Sequence, residues 1–284
     1  MSGQNIKTGV VGWAISHSRS PLIHNHWIKT LGLSGHYEAI AIEPAHFGPD
    51  IRGLIASGFA GVNVTVPHKQ AALAIADTIS DEAQRIGAAN TLVFADDGTI
   101  FAHNTDATGF MDNLRTGAPG IEFMGKTALV LGAGGAARAI ICGLQDAGIA
   151  NIILTNRTAD RAVALQQAFG AAGPIEVLPW DSRHGALGSV DVLVNTTSLG
   201  MVGSPPLDLD LSALKDTAVV TDIVYAPLET QLLADARARG RAVVDGLGML
   251  LHQAAPAFAA WYGEMPTVDA SLRQLIIDDL EKSA

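Results

Sequence analysis

Cysteine and charge are both scarce in this chain of 284 residues. The single cysteine, Cys142, excludes an intrachain disulfide and any metal site built from paired cysteines. Charged residues make up 16% of the chain, and 28 acidic residues outnumber 18 basic ones, for a net charge of −10. Because no cluster of lysine and arginine accompanies this acidic balance, we expect no nucleic-acid partner.

Long hydrophobic runs are missing as well. The most apolar stretch, 127–144, is interrupted by Arg138 and several glycines, whereas a membrane helix needs about 18 or more apolar residues in a row. The first residues, 1–9, lack the basic and then apolar pattern of a secretory signal. Hydrophobic residues nevertheless make up 48% of the sequence, which is ample for a buried core. We therefore expect a folded cytoplasmic protein with no membrane anchor.

Strand-like apolar runs alternate with helical patterns along the chain, which predicts an α/β fold with mainly parallel strands. In the first third, two runs flank the turn Asp96-Asp97-Gly98 and predict a hairpin. Helices are expected to begin at Pro21, near Pro44 and at Pro67, because proline suits the first helical position. The predicted strands are 8–12, 36–42, 60–66, 90–95 and 99–103.

After Gly125 the alternation becomes tighter and predicts six further strands. Such an alternation, opening with a glycine-rich turn, is typical of a dinucleotide-binding domain. Residues 246–284 are predicted to be helical, and their pattern does not indicate which domain they join. The six strands are 127–131, 151–155, 174–178, 191–195, 218–223 and 242–245.

The glycine-rich turn has the sequence Gly132-Ala133-Gly134-Gly135-Ala136-Ala137. Gly132 would allow the tight turn, and Gly134 would let backbone N–H groups approach a pyrophosphate at the positive end of the following helix. The alternative is an ordinary turn between a strand and a helix. The strand before, the helix after and the five strands downstream together favour the nucleotide interpretation.

The residues after the second strand of this unit indicate which cofactor is bound. An NAD-binding protein usually carries an acidic residue near this strand end for the ribose 2′-hydroxyl. Here Arg157 and Arg161 can pair with a 2′-phosphate, and the hydroxyl of Thr158 can add a hydrogen bond. Asp160 is a competing acid, but it lies several residues beyond the strand. NADP is favoured, and the alternative is that both arginines only cover a solvated helix start.

A second set of residues lies in the first third of the chain. Residues 61–66 alternate strictly, with three valines on one face and Asn63 and Thr65 on the other. Pro67 is predicted to open a helix and to place Lys69 in its first turn, where the helix dipole disfavours a cation. Local conflicts of this kind are typical of functional sites. The alternative is an exposed lysine without a role.

Two further segments carry polar side chains. Asp106 follows the hairpin, and it either caps a helix or orients a substrate hydroxyl or a lysine. Ser18 and Ser20 lie in a hydroxyl-rich loop that leads into a helix. Ser20 is either a simple cap or, together with Ser18, part of a carboxylate site. Neither segment is decisive alone.

Taken together, these segments resemble the shikimate dehydrogenase family over nearly the whole chain. Many short motifs occur in the family's order, which makes the resemblance highly specific. The matching segments are 16–21, 24–25, 63–69, 87–91, 104–106, 132–137, 156–158, 195–197, 222–225 and 246–253.

The resemblance implies reversible, NADP-dependent reduction of 3-dehydroshikimate to shikimate in aromatic amino-acid biosynthesis. It implies an N-terminal α/β substrate domain, residues 1–106, completed by the helices of 246–284. Residues 107–245 would form a Rossmann-type, doubly wound parallel-sheet domain that binds NADP. The implied partners are small molecules only, and the family contains both monomers and homodimers.

The resemblance also assigns roles to individual residues. It implies that Ser18 and Ser20 hold the substrate carboxylate and that Lys69, held near Asp106, is the acid/base residue. Other implied contacts of the substrate are Thr65, Asn90, Asp106, Tyr225 and Gln253. The implied cofactor-binding residues are Gly132, Gly134, Gly135, Ala136, Asn156, Arg157, Thr158, Arg161, Gly246 and Met249.

Some positions depart from the family's pattern or have a plainer interpretation. Ala14 stands where the family usually has proline, and His103 stands where it usually has an acid. We expect no metal site, because the pair His24 and His26 lacks a third ligand at metal spacing. Trp261 lies in an apolar context and is expected to pack in a core.

Three rival functions are compatible with parts of the pattern. The protein could be a close relative that oxidises quinate or accepts NAD as well. The two arginines and the two serines count against this alternative. A non-catalytic NADP-binding sensor would have no need of Lys69 and Asp106. Another two-domain NADP dehydrogenase, such as one acting on folates, would not need serines that anchor an acid.

Overall fold

A computed structural model describes residues 5–283, which divide into two compact units. The first unit runs to Thr105 and resumes at Leu251, and the second is Asp106–Leu250. Residues 1–4, which belong to the segment without a signal pattern, and Ala284 of the predicted helical tail lie outside the described residues. Within residues 5–283 no helix has the length and apolar character needed to cross a membrane.

The first unit contains a six-stranded mixed sheet with the order β2-β1-β3-β5-β6-β4. Strand β1 pairs in parallel with β2 and β3, while β5 runs antiparallel to β3 and β6, so the predicted hairpin is confirmed. The edge strand β4 was missed, since two residues are too few to show a pattern. The strands are β1 (Ile6–Gly12), β2 (Gly35–Ala41), β3 (Phe59–Val64), β4 (Thr78–Ile79), β5 (Thr91–Phe94) and β6 (Ile100–His103).

The helices of the first unit come from both ends of its chain. Helix α2 follows a short 3₁₀ turn, Pro44–His46, near the predicted start. Helix α10 begins in the second unit and ends in the first. The helices are α1 (Ser20–Thr30), α2 (Phe47–Ala56), α3 (Lys69–Ala74), α4 (Asp81–Ile86), α10 (Gly246–Tyr262) and α11 (Ala270–Ser283).

The prediction that a helix begins at Pro67 is wrong. Pro67 lies in a turn instead, closed by the N–H of His68, which donates to the carbonyl oxygen of Thr65 over 2.9 Å. The buried ring of His68 donates from Nε2 to the carbonyl oxygen of Ile42 over 2.8 Å, which fixes the turn. Helix α3 therefore starts at Lys69 itself, and β3 ends at Val64.

The second unit contains a six-stranded, fully parallel sheet with the order β12-β11-β10-β7-β8-β9. This is the doubly wound order, which reverses between β7 and β10, and it confirms the predicted fold class. Buried runs such as Leu129 to Leu131 suit strands covered on both faces. The strands are β7 (Thr127–Leu131), β8 (Asn151–Thr155), β9 (Ile175–Leu178), β10 (Val192–Asn195), β11 (Val219–Asp222) and β12 (Ala242–Val244). Its further helices are α5 (Asp106–Gly117), α6 (Gly135–Asp146), α7 (Ala159–Phe169), α8 (Arg183–Ala186) and α9 (Gln231–Ala238).

An aromatic cluster joins the two ends of the first unit's chain. The ring of His24 stacks on Tyr37 with 4.0 Å between centroids and lies next to Phe258 of α10. The indole N–H of Trp261 donates to the carbonyl oxygen of Leu92 over 3.0 Å, so this tryptophan also has a polar contact with the sheet. His24 is fully buried, and burial lowers its pKa to about 3. Neither of its ring nitrogens has a hydrogen-bond partner within the described residues, so the ring is neutral.

We expect the neutral His24 to make the protein sensitive to acid. The unfolded chain binds a proton at this residue below pH 6.5, whereas the folded chain does so only near pH 3. Its contribution to stability is therefore complete above pH 6.5 and is lost as the pH falls toward 3. By pH 5 the loss is about 2 kcal/mol, since one pH unit corresponds to about 1.4 kcal/mol. The free energy of unfolding in urea, measured at pH 7.5 and at pH 5, gives this loss directly.

The variant His24→Phe keeps a flat ring but cannot bind a proton. We expect its free energy of unfolding to change less between pH 7.5 and pH 5 than that of the wild type. His46→Gln, at an exposed position, is the matched control and should behave as the wild type does. Equal pH dependence of wild type and His24→Phe would contradict the prediction.

Candidate functional site

In the first unit, a polar cluster surrounds the buried side chain of Asn90, directly before β5. Its Oδ1 accepts hydrogen bonds from the N–H of Thr105 and the hydroxyl of Thr91, both over 2.9 Å. Its Nδ2 donates to Thr105 Oγ1 over 2.9 Å and to Gln253 Oε1 over 3.3 Å. These contacts fix the orientation of the amide and bring Asn90 and Gln253 together.

Backbone hydrogen bonds place Thr65 and Lys69 at the same end of this sheet. The carbonyl oxygen of Lys69 accepts from the N–H of Ala89 over 2.9 Å, and that of Asn90 accepts from Val64 over 2.8 Å. Thr65 donates its N–H to Val11 of β1 over 2.9 Å. The side chains of Thr65 and Lys69 are half-buried. The structure thus brings together four predicted substrate residues, with Asn90 and Gln253 in direct contact.

Two further polar residues lie beneath this cluster and were not assigned a role from the sequence. Asn63 Nδ2 donates to the carbonyl oxygen of Asn90 over 3.1 Å, and the hydroxyl of Tyr37 donates to Asn63 Oδ1 over 2.7 Å. Burial raises the pKa of Tyr37 well above its usual range, so its hydroxyl remains a donor. The alternation of β3 did place Asn63 on the face of Thr65, but no local pattern reveals Tyr37.

The serine loop leads into α1. The N–H of Ser20 donates to Ser18 Oγ over 3.3 Å, and the buried Ser20 side chain is hydrogen-bonded to Tyr37. Arg19 pairs with Asp279 of α11 over 2.9 Å, which attaches the loop to the last helix. Ala14 has a φ of +65°, which a proline ring, fixed near −65°, cannot adopt. A proline at this position would therefore require a different backbone conformation.

Asp106 and Tyr225 belong to the second unit. Asp106 is the first residue of α5 and is buried, and Tyr225 is half-buried in the loop after β11. Because Lys69 belongs to the first unit, its proximity to Asp106 stays a prediction. His103 is engaged with other residues, since Nδ1 lies 2.8 Å from Ser80 Oγ and Nε2 lies 3.9 Å from Glu82. Burial lowers the pKa of His103.

The glycine turn connects β7 to α6 in the second unit. Gly132 has a φ of +107°, and a Cβ there would lie 2.6 Å from Thr196 Oγ1, so only glycine fits. Gly134 and Gly135 are exposed, and no atom lies within 4 Å of where their Cβ atoms would be. Open space therefore lies before the N-terminus of α6, whose first turn carries no acid and includes the half-buried Ala136. A pyrophosphate fits this arrangement.

The residues predicted to select NADP follow β8. Asn156 Oδ1 accepts from the N–H of Ala133 over 3.1 Å, and its Nδ2 donates to the carbonyl oxygen of Thr158 over 2.8 Å. Asn156 therefore joins the glycine turn to the start of α7. Arg157, Thr158 and Arg161 are exposed, and within residues 5–283 neither arginine has an ion-pair partner. Two cations are thus available for a phosphate.

The two glycines at the start of α10 are explained by close packing. A Cβ on Gly246 would overlap the carbonyl oxygen of Ile223, and a Cβ on Gly248 would overlap the side chain of Asn113. Met249 is buried. The cofactor contacts predicted for Gly246 and Met249 stay predictions. Within the described residues, no three side chains of His, Cys, Asp or Glu converge as metal ligands.

Two family models match the chain. One, described as the shikimate dehydrogenase substrate binding domain, matches residues 10–92. The other, described as shikimate / quinate 5-dehydrogenase, matches residues 117–201.

Individual proteins match over almost their whole lengths. The chain is 55% identical to the shikimate dehydrogenase (NADP(+)) of Methylobacterium radiotolerans over 99% of each chain. It resembles a structure of shikimate 5-dehydrogenase from Thermus thermophilus in complex with NADP(H) and shikimate, with 36% identity and a TM-score of 0.84, covering 98% of this chain and 100% of that one. It also resembles quinate dehydrogenase from Corynebacterium glutamicum in complex with NAD, with 30% identity and a TM-score of 0.90, covering 96% and 99%.

Proposed function

Because this chain belongs to the shikimate dehydrogenase family, we propose that it interconverts 3-dehydroshikimate and shikimate with NADP as its cofactor. The observation that carries the proposal is the polar cluster of the first unit, in which Asn90 contacts Gln253 and the backbone of Lys69 is bonded to Ala89, the residue before Asn90. This cluster lies in the part of the chain that matches a substrate binding domain. The reaction is a step of aromatic amino-acid biosynthesis.

The cluster suits a small acid with several ring hydroxyls. Ser18 and Ser20 hold the substrate carboxylate, and Asn90, Gln253 and Thr65 donate to or accept from the ring hydroxyls. Tyr225 and Asp106 complete the contacts from the second unit. Since these groups are buried or half-buried, an analogue that lacks a hydroxyl would leave one of them without a partner and would be rejected.

Lys69 is the acid/base residue of the reaction. When the ketone is reduced, its oxygen develops negative charge, and the ammonium of Lys69 stabilises this charge and donates a proton to the oxygen. In the direction of oxidation, the neutral amine accepts the proton of the substrate hydroxyl. The Asp106 carboxylate orients that hydroxyl. Removal of the Lys69 amine should therefore slow turnover severely.

NADP, when bound, supplies or accepts the hydride. The backbone N–H groups of the glycine turn hold its pyrophosphate, where Gly134 and Gly135 leave open space. Arg157, Arg161 and the hydroxyl of Thr158 hold the 2′-phosphate. Gly246 and Met249 would border the nicotinamide. We propose residues 1–106 with 246–284 as the substrate domain and 107–245 as the NADP domain, close to the boundaries of the two units.

We further propose that the enzyme works in the cytoplasm, as a monomer or a homodimer, on small molecules only. A chain with a single cysteine cannot form an intrachain disulfide, which suits a reducing compartment.

A second candidate function is oxidation of quinate with NAD. It is favoured by the likeness to a quinate dehydrogenase in complex with NAD. Against it, Arg157 and Arg161 are exposed after β8 and can pair with a 2′-phosphate, and the residue that ends β8 is Thr155 rather than an acid.

The two functions are distinguished by spectrophotometric assay of shikimate and quinate oxidation, each with NADP and with NAD. We expect kcat/KM to be highest for shikimate with NADP, by about tenfold or more over shikimate with NAD, as loss of a charge-assisted phosphate contact implies. A preference for quinate or for NAD would support the second candidate. Binding of NADPH without turnover of either acid would indicate a sensor.

A further inference from the structure

A buried carboxylate in the second unit has no part in the proposed chemistry. Asp222, the last residue of β11, is 1% exposed. Its Oδ1 accepts from Asn195 Nδ2 and from the N–H of Val224, both over 3.0 Å, and its Oδ2 accepts from Thr230 Oγ1 over 2.8 Å. Within residues 5–283 it has no cationic partner. A buried charge without a counterion is costly, so it needs an explanation.

Two of these contacts hold the loop that carries Tyr225. Val224 directly precedes Tyr225, so its N–H fixes the beginning of the loop on Asp222. Thr230 ends the loop and caps α9, where its Oγ1 accepts from the N–H of Leu233 over 3.5 Å. One carboxylate therefore holds both ends of the loop.

The third contact reaches the loop after β10. Asn195 Oδ1 accepts from the N–H and the hydroxyl of Thr197 over 3.0 and 2.7 Å, which folds the loop back on itself. The residue between them, Thr196, donates its hydroxyl to the carbonyl oxygen of Leu131 over 2.9 Å and lies against Gly132. Asp222, through Asn195, thus holds the loop that closes on the glycine turn.

We infer that Asp222 is a positioning residue that couples the loop of Tyr225 to the loop bordering Gly132, and so aligns the substrate and cofactor contacts of the second unit. The inference rests on the proposed function, in which Tyr225 contacts the substrate. Asp222 itself touches neither ligand.

The hydrogen bonds explain why this position carries a carboxylate. Asn195 Nδ2 and the N–H of Val224 can only donate, and the Thr230 hydroxyl donates here while its oxygen accepts from Leu233, so all three contacts suit a carboxylate, which offers only acceptors. An asparagine can accept the bonds of Asn195 and Val224 through its oxygen, but it directs an N–H₂ group at the Thr230 hydroxyl. The Thr230 hydroxyl would then have to accept instead of donate, at an oxygen that already accepts from Leu233, so the Thr230 contact is the one that an amide would weaken.

The test compares Asp222→Ala, Asp222→Asn and Thr230→Val with the control Asp191→Ala. Asp191 is also a carboxylate bonded to the sheet, through the N–H of Thr127 over 3.0 Å and Lys215 Nζ over 2.9 Å, but it lies at the amino ends of the strands. For each variant we measure the KM for shikimate, kcat, the Kd of NADPH by fluorescence titration, and the Tm.

We expect Asp222→Ala to raise both the KM for shikimate and the Kd of NADPH by about tenfold, the effect of losing about 1.4 kcal/mol of alignment. Thr230→Val, which leaves Asn195 in place, should raise the KM for shikimate and change the Kd of NADPH by less than about twofold. Asp222→Asn should resemble Thr230→Val. Asp191→Ala should lower the Tm and leave the KM for shikimate and the Kd of NADPH within about twofold of the wild-type values.

Two outcomes would overturn the inference. In one, Asp222→Ala lowers the Tm but leaves both constants as they are in Asp191→Ala. In the other, Thr230→Val raises both constants equally. The Thr230 contact would then not act on the substrate alone, as the inference requires. If Asp222→Ala does not fold, the other two variants decide. If the wild type does not turn over shikimate, the proposed function fails, and the Kd of NADPH alone then tests the inference.

Discussion

Replacing Lys69 by alanine is expected to lower kcat for shikimate oxidation by about 10²- to 10⁴-fold, the usual contribution of general acid–base catalysis. Lys69 is the first residue of α3, and its backbone is fixed by Ala89, so the substitution removes the amine without releasing the turn. The contacts of Asn90 and Gln253 remain, so the Kd of shikimate should change little. Steady-state kinetics, with the Kd measured by equilibrium titration, check both expectations.

Gln70→Ala is the matched control, because Gln70 is the next residue of the same helix and is exposed. It should retain the activity of the wild type. If Lys69→Ala kept more than about a tenth of the wild-type kcat, the role assigned to Lys69 would be wrong.

The second large effect is expected at the cofactor. Arg157→Ala should raise the KM for NADP by about tenfold or more and leave the KM for NAD almost unchanged, since a hydrogen bond to a charged group contributes about 1.5–3 kcal/mol. The double variant Arg157→Ala/Arg161→Ala should lower the preference for NADP over NAD still further. Initial rates with each cofactor, at a saturating concentration of shikimate, give the ratio.

Arg52→Ala serves as the control for loss of one positive charge, because Arg52 is exposed on α2 of the first unit. It should change neither KM. An equal rise in the KM values for NADP and NAD after Arg157→Ala would show that Arg157 supports the fold of the turn rather than the 2′-phosphate.

The sequence was most informative where local pattern and structure follow the same periodicity. Apolar runs of the second unit predicted all six of its strands, and the runs are clearest in the inner strands β7, β8, β10 and β11, because parallel strands covered on both faces are almost continuously apolar. The glycine turn was also predictable, since Gly132 occupies a backbone conformation that other residues rarely adopt. The hairpin of β5 and β6 followed from its Asp-Gly turn.

The remainder depends on contacts between residues distant in the chain. Tyr37 reaches Asn63 across 26 positions, and Asp222 reaches Asn195 across 27, so no local pattern shows either hydrogen bond. The start of α3 was misjudged because proline also suits turns, and the decisive contact is the one from His68 to Ile42. The resemblance to a family predicted which residues form the site, but not the hydrogen-bond network around them.

The discontinuity of the first unit has a consequence for biosynthesis. Its chain leaves at Thr105 and returns only at Leu251, so the ribosome completes the whole second unit before the missing helices are made. Until then the nascent protein lacks Trp261 against Leu92 and Gln253 against Asn90. A chain that terminates after residue 250 would thus contain the complete second unit and only part of the first, and we expect it to have no shikimate dehydrogenase activity.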